Sequence, residues 1–234
     1  MASTFNDAVA LLKRRPMQRV QGLEMLRQKT ADVLALRSDG LLLRERSDGL
    51  HFLYADTNRA VEALLKQLPP CDALVCDRTQ MDSFLMTKLG FTVHQACINV
   101  VYEHKRPIDI RTELCLMPLS PSDTGMISRH YELHSAEEIA EYIRKERLLG
   151  GYLGNTLVGF IGWHPEGDMG LLHVFEAYRR QGFAYAMEAL QINLMLKRGE
   201  LPRGQVIRGN EASLALQVKL GFTVADSTVS WMFR

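Results

Sequence analysis

The chain has 234 residues, 47% of them hydrophobic and 24% charged, with 28 Lys and Arg against 27 Asp and Glu. The resulting net charge of +1 excludes the bulk electrostatic attraction by which nucleic acid or an anionic membrane captures a basic protein. The length suits two compact domains, and a composition free of low-complexity tracts is that of a globular fold.

No apolar run approaches the ~20 residues that cross a bilayer. The amino-terminal stretch MASTFNDAVALLKRR reads as a helix, without the apolar core and cleavage site of a signal peptide. A cytoplasmic protein with no membrane and no nucleic-acid partner is expected. Cys71, Cys76, Cys97 and Cys115 and the histidines make up no complete four-ligand metal motif. The cysteines therefore read as reduced thiols, and no metal is expected.

In chain order, helical patterns cover Phe5 to Arg14 and Met17 to Lys29. Strand-like runs follow at Val33 to Arg37, Leu41 to Arg44 and Leu50 to Tyr54, with Ser38-Asp39-Gly40 and Ser47-Asp48-Gly49 as turns. A helix over Arg59 to Gln67 stops at Pro69-Pro70. A strand at Ala73 to Cys76, a helix over Met81 to Leu89 and a strand at Val93 to Tyr102 complete the first half. Pro107 and a charged cluster between His104 and Ile110 then interrupt the pattern.

Beyond the interruption, Glu113 to Leu119 reads as a strand, followed by helical patterns over Ser122 to Leu133 and Ser135 to Arg147. Ser135, with Glu138 three residues later, forms a capping box. Leu149 to Gly162 reads as a hairpin around Gly154-Asn155. Met169 to Phe175 is a short apolar strand that feeds Arg179-Arg180-Gln181-Gly182-Phe183-Ala184. From Phe183, apolar residues recur at helical spacing through Met187, Leu190 and Leu194. A strand thus enters a tight loop that opens a helix, whose first turn carries unpaired N–H groups and the positive end of the dipole. Gly182 and Ala184 keep the turn free of bulk, and Arg179 and Arg180 add charge at its rim. The stretch reads as a pyrophosphate cradle, although it is neither a P-loop nor a dinucleotide fingerprint.

The loop has the form Arg/Gln-x-x-Gly-x-Gly/Ala and so resembles the signature of the GNAT superfamily of acyl-CoA-dependent acyltransferases. The hairpin and Gly209 to Phe222, an Asn after a strand and then a helix ending in Lys-x-Gly-Phe, agree with that family in order over roughly Thr112 to Arg234. The resemblance implies acetyl-CoA or coenzyme A as cosubstrate and a small-molecule amine as acceptor, in a monomer or homodimer. It implies that Leu172, His173 and Val174 offer backbone groups to the pantetheine. It also implies that Arg179, Arg180, Gln181, Gly182, Phe183, Ala184 and Tyr185 surround the pyrophosphate, with Asn210 and Ser213 as further contacts. Asn210 and Ser213 also suit a helix start.

An internal echo extends the resemblance. The six residues KLGFTV at 88–93 recur at 219–224, 131 positions later, and at the same offset Thr79 falls on Asn210 and Leu85 on Leu216. The chain therefore reads as two copies of one mixed α/β fold, each a twisted sheet flanked by helices, over 1–110 and 111–234. Where the second copy has its cradle, the first has Ala55-Asp56-Thr57-Asn58-Arg59-Ala60, without a Gly. The first copy is expected to bind no cofactor. A degenerate first half before a functional second half is similar to the glycine N-acyltransferase branch, which leaves a larger acyl group open.

Acyl transfer from a thioester to an amine needs a base for the amine, a donor for the oxyanion and an acid for the leaving thiolate. A backbone N–H between Leu172 and Val174 suits the oxyanion. The base candidates are Glu166 and Asp168, two residues apart at the start of the cradle strand, and His173; a polar turn and a packed core histidine are the alternatives. Many related enzymes place a Tyr acid one residue after the Leu216 position. Here Gln217 stands there, and an amide has no proton to give near neutral pH. Tyr185 and Tyr152 are alternative donors, and a non-catalytic acyl-CoA-binding protein is the competing reading. Glu137, Glu138, Glu141 and Glu146 make the Ser135 helix acidic, which suits a cationic acceptor or simply a solvated face.

Overall fold

The structure is a computed structural model that describes residues 2–131 and 134–234. Its first half runs α1 (Ala2–Leu12), α2 (Val20–Gln28), β1 (Ala31–Arg37), β2 (Gly40–Glu45), β3 (His51–Ala55), α3 (Asn58–Leu65), β4 (Ala73–Cys76), α4 (Asp82–Leu89) and β5 (Val93–Val101). Its second half runs β6 (Leu114–Pro118), α5 (Thr124–Ser128), α6 (Ala136–Arg144), β7 (Leu148–Leu153), β8 (Thr156–Trp163), β9 (Met169–Val174), α7 (Phe183–Lys197), β10 (Arg203–Ile207), α8 (Glu211–Leu220) and β11 (Thr223–Phe233). The mixed α/β class and the order of elements agree with the sequence.

Local chemistry accounts for most boundaries. Ser135 and Glu138 exchange the two capping-box hydrogen bonds at 3.2 and 2.7 Å, and Glu146 at φ +52° turns the chain out of α6. Gly154, at φ +59°, occupies the first position of a two-residue turn, as a type II′ hairpin requires. The KLGFTV repeat is a helix stop. Gly90 and Gly221 end α4 and α8 in the left-handed region, and the next residues, Phe91 and Phe222, are buried. The helix expected over Ser122 to Leu133 is shorter than its pattern. A 3₁₀ turn at Pro121–Asp123 passes into α5, which ends at Ser128. Gly125 weakens it, and Thr124 and Ser128 spend their hydroxyls on backbone carbonyls at 2.8 and 2.9 Å. Glu132 and Leu133, at the end of that pattern, lie outside the described residues.

The two sheets read from the sequence are joined into one of eleven strands, in the order β1-β2-β3-β4-β11-β5-β10-β9-β8-β7-β6. The last strand of each half is exchanged: β11 inserts between β4 and β5, and β5 lies between β11 and β10. The antiparallel β5–β11 register pairs Cys97 with Val229 and Ile98 with Thr228. Both 97 to 228 and 98 to 229 span the same 131 residues as the repeat, so the two strands cross about a local two-fold. Within each half one helix pair covers each face. Thus α1 and α2 pack Leu11, Leu12 and Met25 over Leu41, Phe52 and Val75, while α3 and α4 pack Val61, Leu64 and Leu85 over Leu42, Leu53 and Leu74. In the second half, α5 and α6 cover Phe160 and Leu171, and α7 and α8 cover Trp163, Met169 and Val206.

Candidate functional site

Two parallel neighbours, β9 and β10, are in register at a single pair, Met169 with Gly204. Beyond it they diverge toward their carboxyl ends, leaving a wedge-shaped gap in the sheet. The helices that follow these strands, α7 and α8, flank the gap. Its base is apolar, formed by Met169 and Val206 with Ala189 and Ile192 of α7 and Leu220 of α8.

Strand β9 bulges at the gap. Phe160 pairs with His173 and Gly162 with Gly170, so Leu171 and Leu172 together oppose Ile161. Leu171 takes φ +55°, a costly conformation for a branched residue. The extra residue leaves backbone groups of β9 without a ladder partner on β8.

The cradle follows. A 3₁₀ turn, Glu176–Tyr178, leads into the loop, and the loop's side chains fold back on it. Arg179 Nε donates to the Val174 carbonyl at 3.1 Å, and Gln181 Nε2 to the Ala177 carbonyl at 3.2 Å. Arg180 at φ +63° and Gly182 at φ +86° both lie in the left-handed region. Among the described residues no side chain caps α7, and its first backbone bond is from Ala186 N to Gly182 O. The N–H groups of Phe183, Ala184 and Tyr185 therefore precede the helical ladder. A Cβ on Gly182 would meet nothing within 4 Å, so the turn is open above the helix terminus, and Arg179, Arg180 and Gln181 are exposed around it. Uncapped N–H groups, open space and two cations fit a pyrophosphate.

The remaining cofactor candidates have local partners. Asn210 Oδ1 accepts from Ser213 N at 3.1 Å, which makes the pair the cap of α8. Tyr185 lies under Lys219, whose Nζ is 5.2 Å from the ring centroid. Leu172 and Val174 face the α7 side of the sheet among Val158, Ile161 and Met187.

His173 points to the other face. It stacks on Phe160 at 5.3 Å and stands 5.4 Å from the His130 ring, which reaches over from the segment after α5. Its Nε2 is buried and has no hydrogen-bond partner among the described residues. Burial, then the Arg179 cation and His130, hold its pKa below the usual histidine value, so the imidazole is neutral at pH 7.

The two carboxylates stand at the start of β9, where the sequence places them, and both are buried. Glu166 lies in the Pro165–Gly167 turn before β9, and Asp168 immediately precedes the strand. Their exposures are 3% and 1%, beside Arg203 at 0%. Arg203 Nε approaches Asp168 Oδ1 at 2.9 Å, an ion pair, and its Nη2 donates to the Glu166 carbonyl. Gln21 of α2 donates to Asp168 Oδ2 at 2.8 Å from 147 residues away. Burial, and next the charge of Asp168, push the Glu166 carboxyl up to about 8. With both Asp168 oxygens engaged, this group ties the start of β9 to the first half. We expect Asp168→Ala, which strands the Arg203 guanidinium, to cost about 3–5 kcal/mol in urea unfolding. A loss under 1 kcal/mol would mean that the pair holds nothing together.

One buried acid was invisible in the sequence reading. Glu188 of α7 is 6% exposed, and Gln217 Nε2 donates to both of its oxygens, at 2.8 and 2.9 Å. Burial pushes Glu188 up to about 7 against the opposing pull of Gln217. The available signal was its place on a stripe with Ala184, Ile192 and Met195, where a charge is out of pattern. Tyr152, the other candidate donor, stands on β7, separated from β9 by β8.

The first half contrasts at each point. Strands β3 and β4 pair over three residues, His51 to Leu53 with Leu74 to Cys76. Asp77 then extends the zipper: its N donates to the Leu53 carbonyl at 3.2 Å, and its Oδ1 accepts from Ala55 N at 2.8 Å. Thr57 caps α3 by accepting from Ala60 N at 3.0 Å. Asp56 pairs with Arg14 and Arg19 where an anion would have to approach. A groove of about 990 Å³ does lie between the α1–α2 connection, the end of β4 and the β11 bulge. None of its lining residues belongs to the cradle.

No protein-family model matches the chain, and no curated protein matches it. Solved structures do. A Drosophila protein superposes with a TM-score of 0.66 at 15% identity, over 100% of this chain and 97% of its own. A GCN5-related N-acetyltransferase-like protein from Streptococcus suis gives 0.60 at 14% identity, over 100% of both chains. A tandem GNAT protein of the clavulanic acid pathway gives 0.50 at 14%, over 99% of this chain and 94% of that one. The fold is therefore the GNAT fold in tandem. Among the described residues no helix is long and apolar enough to cross a membrane.

Proposed function

We propose that the chain is an acyl-CoA-dependent N-acyltransferase whose second half, from about residue 111, carries acetyl-CoA and acts on a primary amine of a small molecule. The observation that carries the reading is the coincidence, on one strand–helix unit, of the splayed β9–β10 pair, the β9 bulge and the open cradle at Gly182. An acyl-CoA brings an activated thioester; the pyrophosphate would lie at Arg180 to Tyr185 and the pantetheine along β9 in the gap. The bulge turns a backbone N–H of Leu172 or its neighbour toward the place where negative charge develops on the carbonyl oxygen.

In this reading His173 takes the proton from the attacking amine. It is next to the bulge, neutral at pH 7, and its Nε2 has no other partner among the described residues. Glu166 and Asp168 hold β9 in place instead. The first half binds no nucleotide, because Asp77 closes the gap and Thr57 and Asp56 occupy the helix terminus.

A panel of primary amines with acetyl-CoA, followed by free-thiol release, tests the activity. Thiol release that depends on one class of amine is the expected result. Cofactor binding without release for any amine would favour a non-catalytic acyl-CoA-binding protein, for which the neutral Gln217 beside the gap is the supporting observation. A wider panel of acyl-CoA chain lengths distinguishes acetyl from larger groups.

A further inference from the structure

The buried pair Glu188–Gln217 is used by nothing described so far. Each helix flanking the gap contributes one member, Glu188 from α7 and Gln217 from α8, and they meet between helices that otherwise pack through Ala189, Ile192 and Leu220. Glu188 is six residues beyond Gly182, about 9 Å along the helix axis from the cradle. A pantetheine that starts at the cradle and enters the gap runs past this level. A carboxyl held by one neutral amide is a poor structural clasp, since burying it costs more than the hydrogen bond returns. Gln191, three residues on, shows the ordinary solution, a neutral amide donating to the Gly162 carbonyl.

We propose that Glu188, positioned by Gln217, is the proton donor to the sulfur that leaves during acyl transfer. The inference rests on the acyl-CoA reading above. The bonds balance as follows. The amine nitrogen forms its bond to the acyl carbon and gives a proton to His173, the carbon–sulfur bond breaks, and the electron pair on sulfur takes the Glu188 proton. The products are amide and thiol, and solvent returns the His173 proton to Glu188 between turnovers. The donor must be protonated before the reaction, which its burial favours: the carboxyl is pushed up to about 7. Of the groups that face it, Gln217 is the hydrogen-bonding one. Lys219 of α8 is engaged over Tyr185, and Met169 and Val206 from the sheet are uncharged.

Infrared titration of the protonated carboxyl, assigned by its loss in Glu188→Gln, tests this without an acceptor amine. The wild-type protein is titrated alone, with coenzyme A and with desulfo-coenzyme A, which lacks only the sulfur. If the sulfur stands against Glu188, the two complexes have midpoints that differ by about half a pH unit or more. Gln217→Leu removes the hydrogen bond that favours the ionised form and moves the midpoint of the free protein upward. If both ligands bind and give the same midpoint, Glu188 does not face the sulfur and the inference falls. If neither ligand binds, the acyl-CoA reading itself falls.

Discussion

Gly182→Asp abolishes coenzyme A binding, while Gly182→Ala weakens it only modestly. Both side chains would have to adopt φ +86°, which costs roughly 1–2 kcal/mol for any L-residue. Neither meets a neighbour, because the space above Gly182 is open to 4 Å. The two variants thus share a conformational cost and differ in charge. The aspartate sets a carboxylate at the uncapped start of α7, where it accepts the free N–H groups as a capping side chain does. It thereby occupies the anion site and repels what is left of the phosphate charge. Isothermal calorimetry reads the result: loss of detectable heat for Asp, and about tenfold weaker affinity for Ala, which is the conformational cost expressed in binding. Equal affinity in the two variants would show that the cradle does not hold the pyrophosphate, and with it the central reading would fail.

That cradle was legible because its information is local. Arg179 to Ala184 are consecutive, and a glycine before an apolar helix marks a helix entry, which is what the loop and α7 form. The same holds for the hairpin at Gly154 and for both helix stops at KLGFTV. What could not be read depends on distant partners. The joining of two sheets into one depends on β11 pairing with β4 and β5, contacts that no window of sequence contains. The roles of Glu166 and Asp168 turned on Arg203 and on Gln21, a residue of the other half. Spacing showed two carboxylates near one strand, and burial decided that one is an ion-pair partner and the other lies in a turn. The bulge at Leu171 was equally hidden, since a leucine with positive φ leaves no mark on composition.

The pseudo-symmetry of the halves sets two strand pairs side by side for comparison. Equivalent strand pairs either part, as β9 and β10 do, or are stitched by one side chain, as Asp77 stitches β3 and β4. The Asp77 carboxylate is itself held by the buried Arg19, which also reaches Asp56. One arginine thus satisfies both acids that close the gap and the helix terminus. In the reading proposed here the first half is a buttress, and its α2 reaches through Gln21 to Asp168 at the start of β9.

His173→Gln is the second large effect, expected to lower turnover ~10²–10⁴-fold with coenzyme A affinity unchanged, the scale for removing a positioned base. Glutamine preserves much of the packing on Phe160 and removes only the ability to accept a proton. The pH profile carries the sign. A base works when deprotonated and the Glu188 donor when protonated, so the wild-type rate falls as pH drops through the His173 pKa and falls again as pH rises through that of Glu188, about 7. Burial, Arg179 and His130 all disfavour the imidazolium, which sets the His173 midpoint below the ordinary histidine value of about 6.5. Arg179→Gln removes that guanidinium and should move the midpoint upward, a change that a merely structural histidine would not transmit to the rate. Glu166→Gln and Asp168→Asn provide the contrast: if either costs more than His173→Gln while the protein stays folded and binds coenzyme A, the base is a carboxylate and His173 is a packed wall of the acceptor side. Should all three keep the full rate, the proton leaves through water held at the bulge, and the free backbone groups around Leu171 become the place to look for it.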